Sequence, residues 1–274
     1  FMKLAKKADV ILESFRPGKA DSLGIGYNDV KKINPKIIYC SITGYGQKGF
    51  HKGKAGHELN YSGLTGLLDV LSEKPIVPGV QIVDVGSALV AAFSIVSALF
   101  YKEKRGKGNY VDVSMFNSAF SLISIHIAQI SLSNKKTVLS GAPYYNVYET
   151  KDKRFVSLCA IEGKFWQSFC NAVKRKDLLQ MQFDNSIYQD MKILFRSKTT
   201  NEWLKLNEKY DFCCEPVRKI EEVIKDKNLK NGNILIQLNG ITQASMPVEF
   251  SSSTAIKHVR APKIGEHTEK ILHS

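Results

Sequence analysis

The sequence predicts an α/β fold with a parallel sheet, followed by a second, smaller domain. Three observations carry this. Residues 8–43 read as strand, helix, strand; a further strand at 110–114 follows a long uncharged helix; and from Ala142 the pattern changes to paired aromatics in alternation. Strands joined through a helix run parallel, which sets this half of the chain apart from the hairpin-like half that follows.

Residues 8–15 form a short apolar run closed by Arg16-Pro17-Gly18, as a buried strand ending in a turn would be. Residues 27–34 give a short amphipathic helix stopped by Asn34-Pro35, because proline disfavours helical geometry in the residue before it. Residues 37–43 return as a strand. After a glycine-rich loop comes a strand-like run at 78–84, with Asp84 placed to cap an apolar helix from 85 to about 103. Residues 105–109 turn the chain, 110–114 alternate as a strand, and a second apolar helix runs to about Ile130. The polar stretch 131–141 reads as a linker. Beyond it a hairpin turns at Lys151-Asp152-Lys153, helical patterns occupy 164–173, 186–197, 200–210 and 219–225, and a serine-rich segment punctuated by prolines spans 246–262.

Composition narrows the function. A chain of 274 residues with 43% hydrophobic and 24% charged content supports a core and excludes disorder as the main state. The five cysteines are an odd number, and adjacent Cys213-Cys214 lack zinc spacing, so reduced thiols and no metal are expected. The formal charge of +13 suits an anionic small ligand such as a nucleotide or coenzyme A. Nucleic acid is not the expected partner, because the basic residues are scattered and do not alternate with stacking aromatics. The uncharged stretches 85–101 and 113–134 carry Ser87, Ser94, Ser97, Asn117, His126 and Gln129, so they are expected as helices buried in a soluble core and not as membrane spans. No signal peptide is visible at residues 1–7.

Gly44-Tyr45-Gly46-Gln47-Lys48-Gly49 matches G-x-G-x-x-G after a strand, but the glycine-rich, basic residues that follow do not open a helix. A flexible ligand-facing loop fits better than a dinucleotide fingerprint. Ala55-Gly56-His57-Glu58-Leu59-Asn60-Tyr61 is the most polar cluster of an apolar neighbourhood; without a second histidine four residues on it is no zincin helix, and a surface loop histidine is its simplest reading. Asp84 at the head of an uncharged helix is an N-cap first. The same place, expected at the C-terminal edge of a strand, is where open α/β sheets put ligands, and the helix offers N–H groups to a developing oxyanion. Glu162 likewise ends an apolar strand, as a capping acid or as a functional carboxylate.

Taken together, several segments resemble the α-methylacyl-CoA racemases of the family III CoA-transferases. They are Ala8-Asp9-Val10 through Phe15-Arg16-Pro17-Gly18, Asn34-Pro35 to Gln47, residues 55–61, Lys107-Gly108-Asn109-Tyr110-Val111-Asp112, Gly141-Ala142-Pro143-Tyr144-Tyr145, Ala160-Ile161-Glu162 and Gly265-Glu266-His267-Thr268-Glu269. Their order along nearly the whole chain is far more specific than any one of them.

The resemblance implies a Rossmann-like CoA-binding large domain at 1–135, a small α+β domain at 136–235, a segment at 236–274 returning to the large domain, and an interlocked homodimer. It implies an N-terminal strand-helix-strand unit of about 70 residues ahead of Ala8 that this sequence does not include. It places the catalytic histidine on His57, the catalytic aspartate on Asp84 and the carboxylate pairing with the histidine on Glu162, acting across the dimer. Arg16 would meet CoA phosphates, and Gly56, Glu58, Leu59, Asn60 and Tyr61 would hold the thioester and pantetheine. The implied reaction is a 1,1-proton transfer on a 2-methylacyl-CoA, with no cofactor beyond the CoA of the substrate and the helix at Asp84 steadying the enolate. The alternative is a CoA-transferase in which Asp84 is a nucleophile forming an acyl anhydride and then a CoA thioester. The His57–Glu162 pair favours the racemase, since a transferase does not need it. Two departures stand out: Glu58 where relatives usually have Asp, and Gly86-Ser87-Ala88 where they have several glycines, which is expected to narrow the space beside Asp84. Leu272-His273-Ser274 is not a peroxisomal tripeptide, so a cytoplasmic address is expected.

Overall fold

The structure, a computed structural model, describes residues 1–72, 74–134, 141–232, 234–248, 250–251 and 259–273. The chain is mixed α/β and divides into two compact units, Phe1–Gly141 and Ala142–Ser274. The expected linker at 131–141 ends at this division, with residues 135–140 outside the described residues. The segment from 236 onward falls within the second unit.

The first unit holds α1 (Met2–Ala5), β1 (Val10–Glu13), α2 (Lys19–Ser22), α3 (Tyr27–Ile33), β2 (Ile38–Thr43), α4 (Glu58–Thr65), α5 (Leu67–Leu71), α6 (Ile82–Arg105), β3 (Asn109–Ser114), α7 (Met115–Leu122) and α8 (Ser124–Ser133). The three strands are parallel in the order β1-β2-β3, with Ile38 opposite both Val10 and Asn109. β2 is central, and its Ile38, Tyr39, Cys40 and Ser41 are almost fully buried, as a strand covered on both faces requires. α3 packs Val30 against Ile37 and Tyr39, and the Asn34 amide donates to the carbonyls of Ala5 and Ala8, fixing the entry to β2. α6 ends with Lys102, Lys104 and Arg105 in its last turn, where cations meet the negative end of the helix dipole.

Three expectations for this unit are corrected. Residues 78–84 form no strand: α6 begins at Ile82 with Gln81 as its N-cap, so Asp84 sits in the first helical turn and does not cap it. The β-branched pair Ile82-Val83 mimics a strand in sequence, yet Val83 is buried from the helix. The second apolar helix is two, α7 and α8, bent by 61°. α6 is also not enclosed. Small residues Ser87, Ala91 and Ala98 face inward, with Ala91 against Cys40 and Val113, while Val85, Leu89, Phe93, Val96 and Phe100 form an exposed apolar stripe. By length and composition α6 is apolar enough to cross a membrane. A helix apolar on all sides carries no periodicity to say which face is covered.

The second unit holds β4 (Tyr145–Glu149), β5 (Phe155–Cys159), α9 (Gly163–Val173), α10 (Tyr188–Arg196), α11 (Thr200–Tyr210), β6 (Cys214–Pro216), α12 (Ile220–Val223), α13 (Lys227–Asn231), β7 (Leu235–Leu238), β8 (Ile241–Ala244) and α14 (Thr268–Leu272). β4 and β5 form the expected hairpin, and β6 adds antiparallel to β5. The core is aromatic: Trp166, Phe169, Phe195, Trp203 and Phe212 are buried, and each indole N–H donates to a carbonyl, Trp166 to Leu178 and Trp203 to Phe195. α11 starts on a capping box in which Thr199 and Glu202 bond reciprocally. Of the helical patterns, 219–225 shortens to α12. The serine-rich segment has residues 249 and 252–258 outside the described residues. A second hairpin, β7–β8, turns at Asn239-Gly240, both with positive φ (51° and 79°).

Candidate active site

The carboxyl end of β2 leads into residues 44–57, which wrap back to the head of α4. This loop is pinned. The Gln47 N–H donates to the Asp112 carboxylate at the end of β3 (3.1 Å), and the Phe116 N–H donates to the Gly44 carbonyl (2.8 Å). The expected flexible loop is thus fixed at two points to β3 and α7.

Tyr61, in the second turn of α4, sets its far end. Its ring is buried and its hydroxyl donates to the Gly56 carbonyl, one residue before His57. The Tyr61 ring tip lies against both Gly44 and Gly56: a Cβ on Gly44 would strike its hydroxyl, and one on Gly56 would lie 2.8 Å from its Cε1. Glycine is required at these two positions by close approach.

His57 is the N-cap of α4, with extended backbone (φ −133°, ψ 176°). Its N–H donates to the Asn60 side-chain oxygen (3.1 Å), so Asn60 holds the histidine backbone from within the helix. Residues 58–65, expected as part of a loop, are helical for this reason. Glu58 faces the other way. Its carboxylate accepts the N–H groups of Val83 (3.1 Å) and Asp84 (2.8 Å) and the Ser62 hydroxyl (3.0 Å), capping α6 from α4. Two of the donors expected at the head of α6 to steady an oxyanion, the N–H groups of Val83 and Asp84, are therefore occupied. At the head of α4 the intrahelical bonds begin at Asn60, which leaves the N–H groups of Glu58 and Leu59 without an intrahelical acceptor.

These elements enclose a cavity of about 350 Å³ whose wall includes Arg16, Thr43, Tyr45, Gly56, His57, Tyr61 and Asp84. The structure brings together five of the residues singled out in the sequence: Arg16, Gly56, His57, Tyr61 and Asp84. Arg16 also lines an adjoining cavity of about 220 Å³ with Glu13, Asp21 and Tyr27. Glu58 and Asn60 serve as caps behind the wall, and Leu59 is exposed on α4. Glu162 belongs to the second unit, at the N-cap of α9. Ser87, one of the departures near Asp84, is buried with its hydroxyl on the Val83 carbonyl and does not line the cavity. Sequence reasoning passed over Thr43 and Tyr45; their signal was the G-x-G-x-x-G stretch itself, which starts between them.

The electrostatics raise the proton affinity of Asp84. Burial first, and then the Glu58 carboxylate, push its carboxyl above the ordinary aspartate value, while His57 pulls it back. A carboxyl and an imidazole that line one cavity and interact electrostatically are two groups chemically able to exchange protons. Among the described residues no group of three or more His, Cys, Asp and Glu is placed to hold a metal ion.

The sequence profile of CoA-transferase family III matches residues 1–268. The chain belongs to this family. A human α-methylacyl-CoA racemase is 32% identical to this family III chain over 98% of its length and 75% of the racemase. A human succinyl-CoA:glutarate CoA-transferase is 29% identical over 98% of the chain and 67% of the transferase. The crystal structure of a CaiB/BaiF family protein from Brucella suis superposes with a TM-score of 0.86 at 23% identity, covering 99% of this chain and 76% of that one. The chain is thus an enzyme of the family III CoA-transferase and racemase superfamily, and the order of segments seen in the sequence reflects real kinship.

Proposed function

We propose that this enzyme interconverts (R)- and (S)-2-methylacyl-CoA thioesters by 1,1-proton transfer. The observation that carries the reading is that His57 and Asp84, two side chains able to take and give a proton, line one cavity together with Arg16. One of the pair removes the α-proton, and the C–H electron pair moves into the thioester carbonyl to give an enolate. The other returns a proton from the opposite face. The α-proton is too weakly acidic for a base alone, so the enolate oxygen needs donors; the N–H groups of Glu58 and Leu59 at the head of α4 are the candidates, next to His57. Arg16 is assigned to the CoA phosphates. The exposed stripe of α6 supports a homodimer, and Glu162 is the carboxylate assigned to serve the histidine.

A second reading is favoured by the likeness to the succinyl-CoA:glutarate CoA-transferase: the Asp84 carboxylate attacks the thioester carbonyl and CoA leaves as its thiolate. The thiolate then attacks the Asp84 carbonyl of the anhydride, releasing the first carboxylate and leaving a CoA thioester on Asp84, from which CoA passes to a second carboxylate through a new anhydride. The two readings separate in deuterated water with one enantiomer of a 2-methylacyl-CoA. The racemase incorporates deuterium at the α-carbon and loses optical purity, and His57→Ala abolishes both. Transfer of CoA to an added carboxylic acid without α-exchange, lost in Asp84→Ala, establishes the transferase instead.

A further inference from the structure

Tyr45 stands in the wall of the same cavity, and nothing above gives it a role. Tyr45 is buried, with 9% exposure. The ring is clamped on three sides, edge-on to Tyr61 at 5.1 Å, against Phe116 at 5.8 Å and against His51 at 5.3 Å. A ring so held cannot swing its hydroxyl elsewhere. That hydroxyl lies against Gly56, where an added Cβ would sit 2.7 Å from it, one residue before His57. Among the described residues it has no hydrogen-bond partner, and it is not one of the sealed polar atoms. Its neighbour Tyr61 is the contrast: the same chemistry in the same wall, with its hydroxyl spent on the Gly56 carbonyl.

A ligand that fills the cavity shuts water out from the Tyr45 hydroxyl, and so must meet it with an acceptor or leave it buried and unpaired. The acceptor an acyl-CoA offers at its thioester end is a carbonyl oxygen. We propose that the Tyr45 hydroxyl donates a hydrogen bond to a carbonyl oxygen at the thioester end of the bound acyl-CoA, making Tyr45 a further ligand-binding residue. This rests on the acyl-CoA reading of the site.

Tyr45→Phe tests it, because phenylalanine keeps the clamped ring and removes only the hydroxyl. Butyryl-CoA is the binding probe, by calorimetry, and α-deuterium exchange on a 2-methylacyl-CoA the activity. The expected result is a loss of roughly fivefold to tenfold in butyryl-CoA affinity and in kcat/KM for exchange, the size of one hydrogen bond, with the Tm of the ligand-free protein unchanged. Tyr61→Phe, by contrast, lowers the ligand-free Tm, since it breaks a bond within the protein. Wild-type affinity and kcat/KM in Tyr45→Phe overturn the inference while leaving the acyl-CoA reading intact. So does a ligand-free Tyr45→Phe that is destabilised as much as Tyr61→Phe or fails to fold, because the hydroxyl is then structural. Failure of the unaltered protein to bind butyryl-CoA overturns both.

Discussion

Glu58 accepts the backbone N–H of Asp84 at 2.8 Å, so the residue next to His57 is bonded to the other proposed proton carrier through its main chain. One carboxylate both caps α6 and adds negative charge beside the Asp84 carboxyl. The same side chain therefore ties the two helix heads together and adds to the effect of burial on the proton affinity of Asp84.

Replacing that charge moves the pH dependence in a defined direction. Glu58 raises the Asp84 carboxyl above its ordinary value, second to burial. Glu58→Gln removes the repulsion, so Asp84 deprotonates at lower pH and the acid limb of the kcat/KM profile shifts down the pH scale. Glu58→Ala gives the same shift and also leaves α6 uncapped, at a cost of about 1 kcal/mol, read as a lower denaturant midpoint.

Asp84→Asn separates chemistry from stability. The side chain is exposed to the cavity in the first turn of α6, and the capping bond to Glu58 uses only its backbone. Activity is expected to fall on the order of 10²- to 10⁴-fold, with little change in Tm. A comparable loss of folded protein by circular dichroism would assign Asp84 a structural role instead.

The apolar stripe of α6 predicts self-association. Phe93 is 77% exposed and Leu89 68%, on one face of a 24-residue helix. In sedimentation velocity the unaltered chain is expected to sediment as a dimer, and a Leu89→Glu, Phe93→Glu double variant as a monomer, at the same concentration. Identical sedimentation of the two removes the stripe from the assembly.

Asp152 is one of the carboxylates that contribute to the acid stability of the second unit. Its carboxylate accepts the Thr150 hydroxyl (2.6 Å) and the Thr200 N–H (3.1 Å), and the Thr150 bond leads in holding it below the ordinary aspartate value. A carboxyl depressed in the folded state adds stability that is complete above its unfolded value and is lost as pH falls through the lower folded one. Asp152→Asn is expected to lower the unfolding midpoint at neutral pH and to flatten its fall in acid. Both tryptophans, Trp166 and Trp203, lie in the second unit, so their fluorescence reports on it.

Much of the fold was legible because its signals are local. Asn34-Pro35 ends a helix, alternation at 145–149 and 155–159 makes a hairpin, and a buried central strand reads as the unbroken run at 38–43. The proposed proton carriers, His57 and Asp84, were singled out through the order of whole segments and not by any single motif. What escaped depends on individual side-chain bonds that leave no periodic pattern. α4 contains Ser62 and Gly63 and has little apolar periodicity; it is helical because Asn60 caps His57 and Tyr61 locks onto Gly56. The occupant of the α6 head, Glu58, lies 25 residues before Val83 in sequence. The Asn239-Gly240 turn, by contrast, was a local signal open to reading, flanked by alternating residues on both sides.

The packing of the Tyr61 ring against Gly44 and Gly56 makes the backbone before residue 57 sensitive at three positions at once. A lone change of either glycine to alanine meets the ring, and a lone loss of the ring frees the carbonyl that precedes the histidine. Removing the Tyr61 ring does not free Gly56 either, since a Cβ there would still lie 2.7 Å from the Tyr45 hydroxyl. The carbonyl in front of residue 57 can thus be displaced by a single change at any one of several positions, none of which touches the histidine side chain itself.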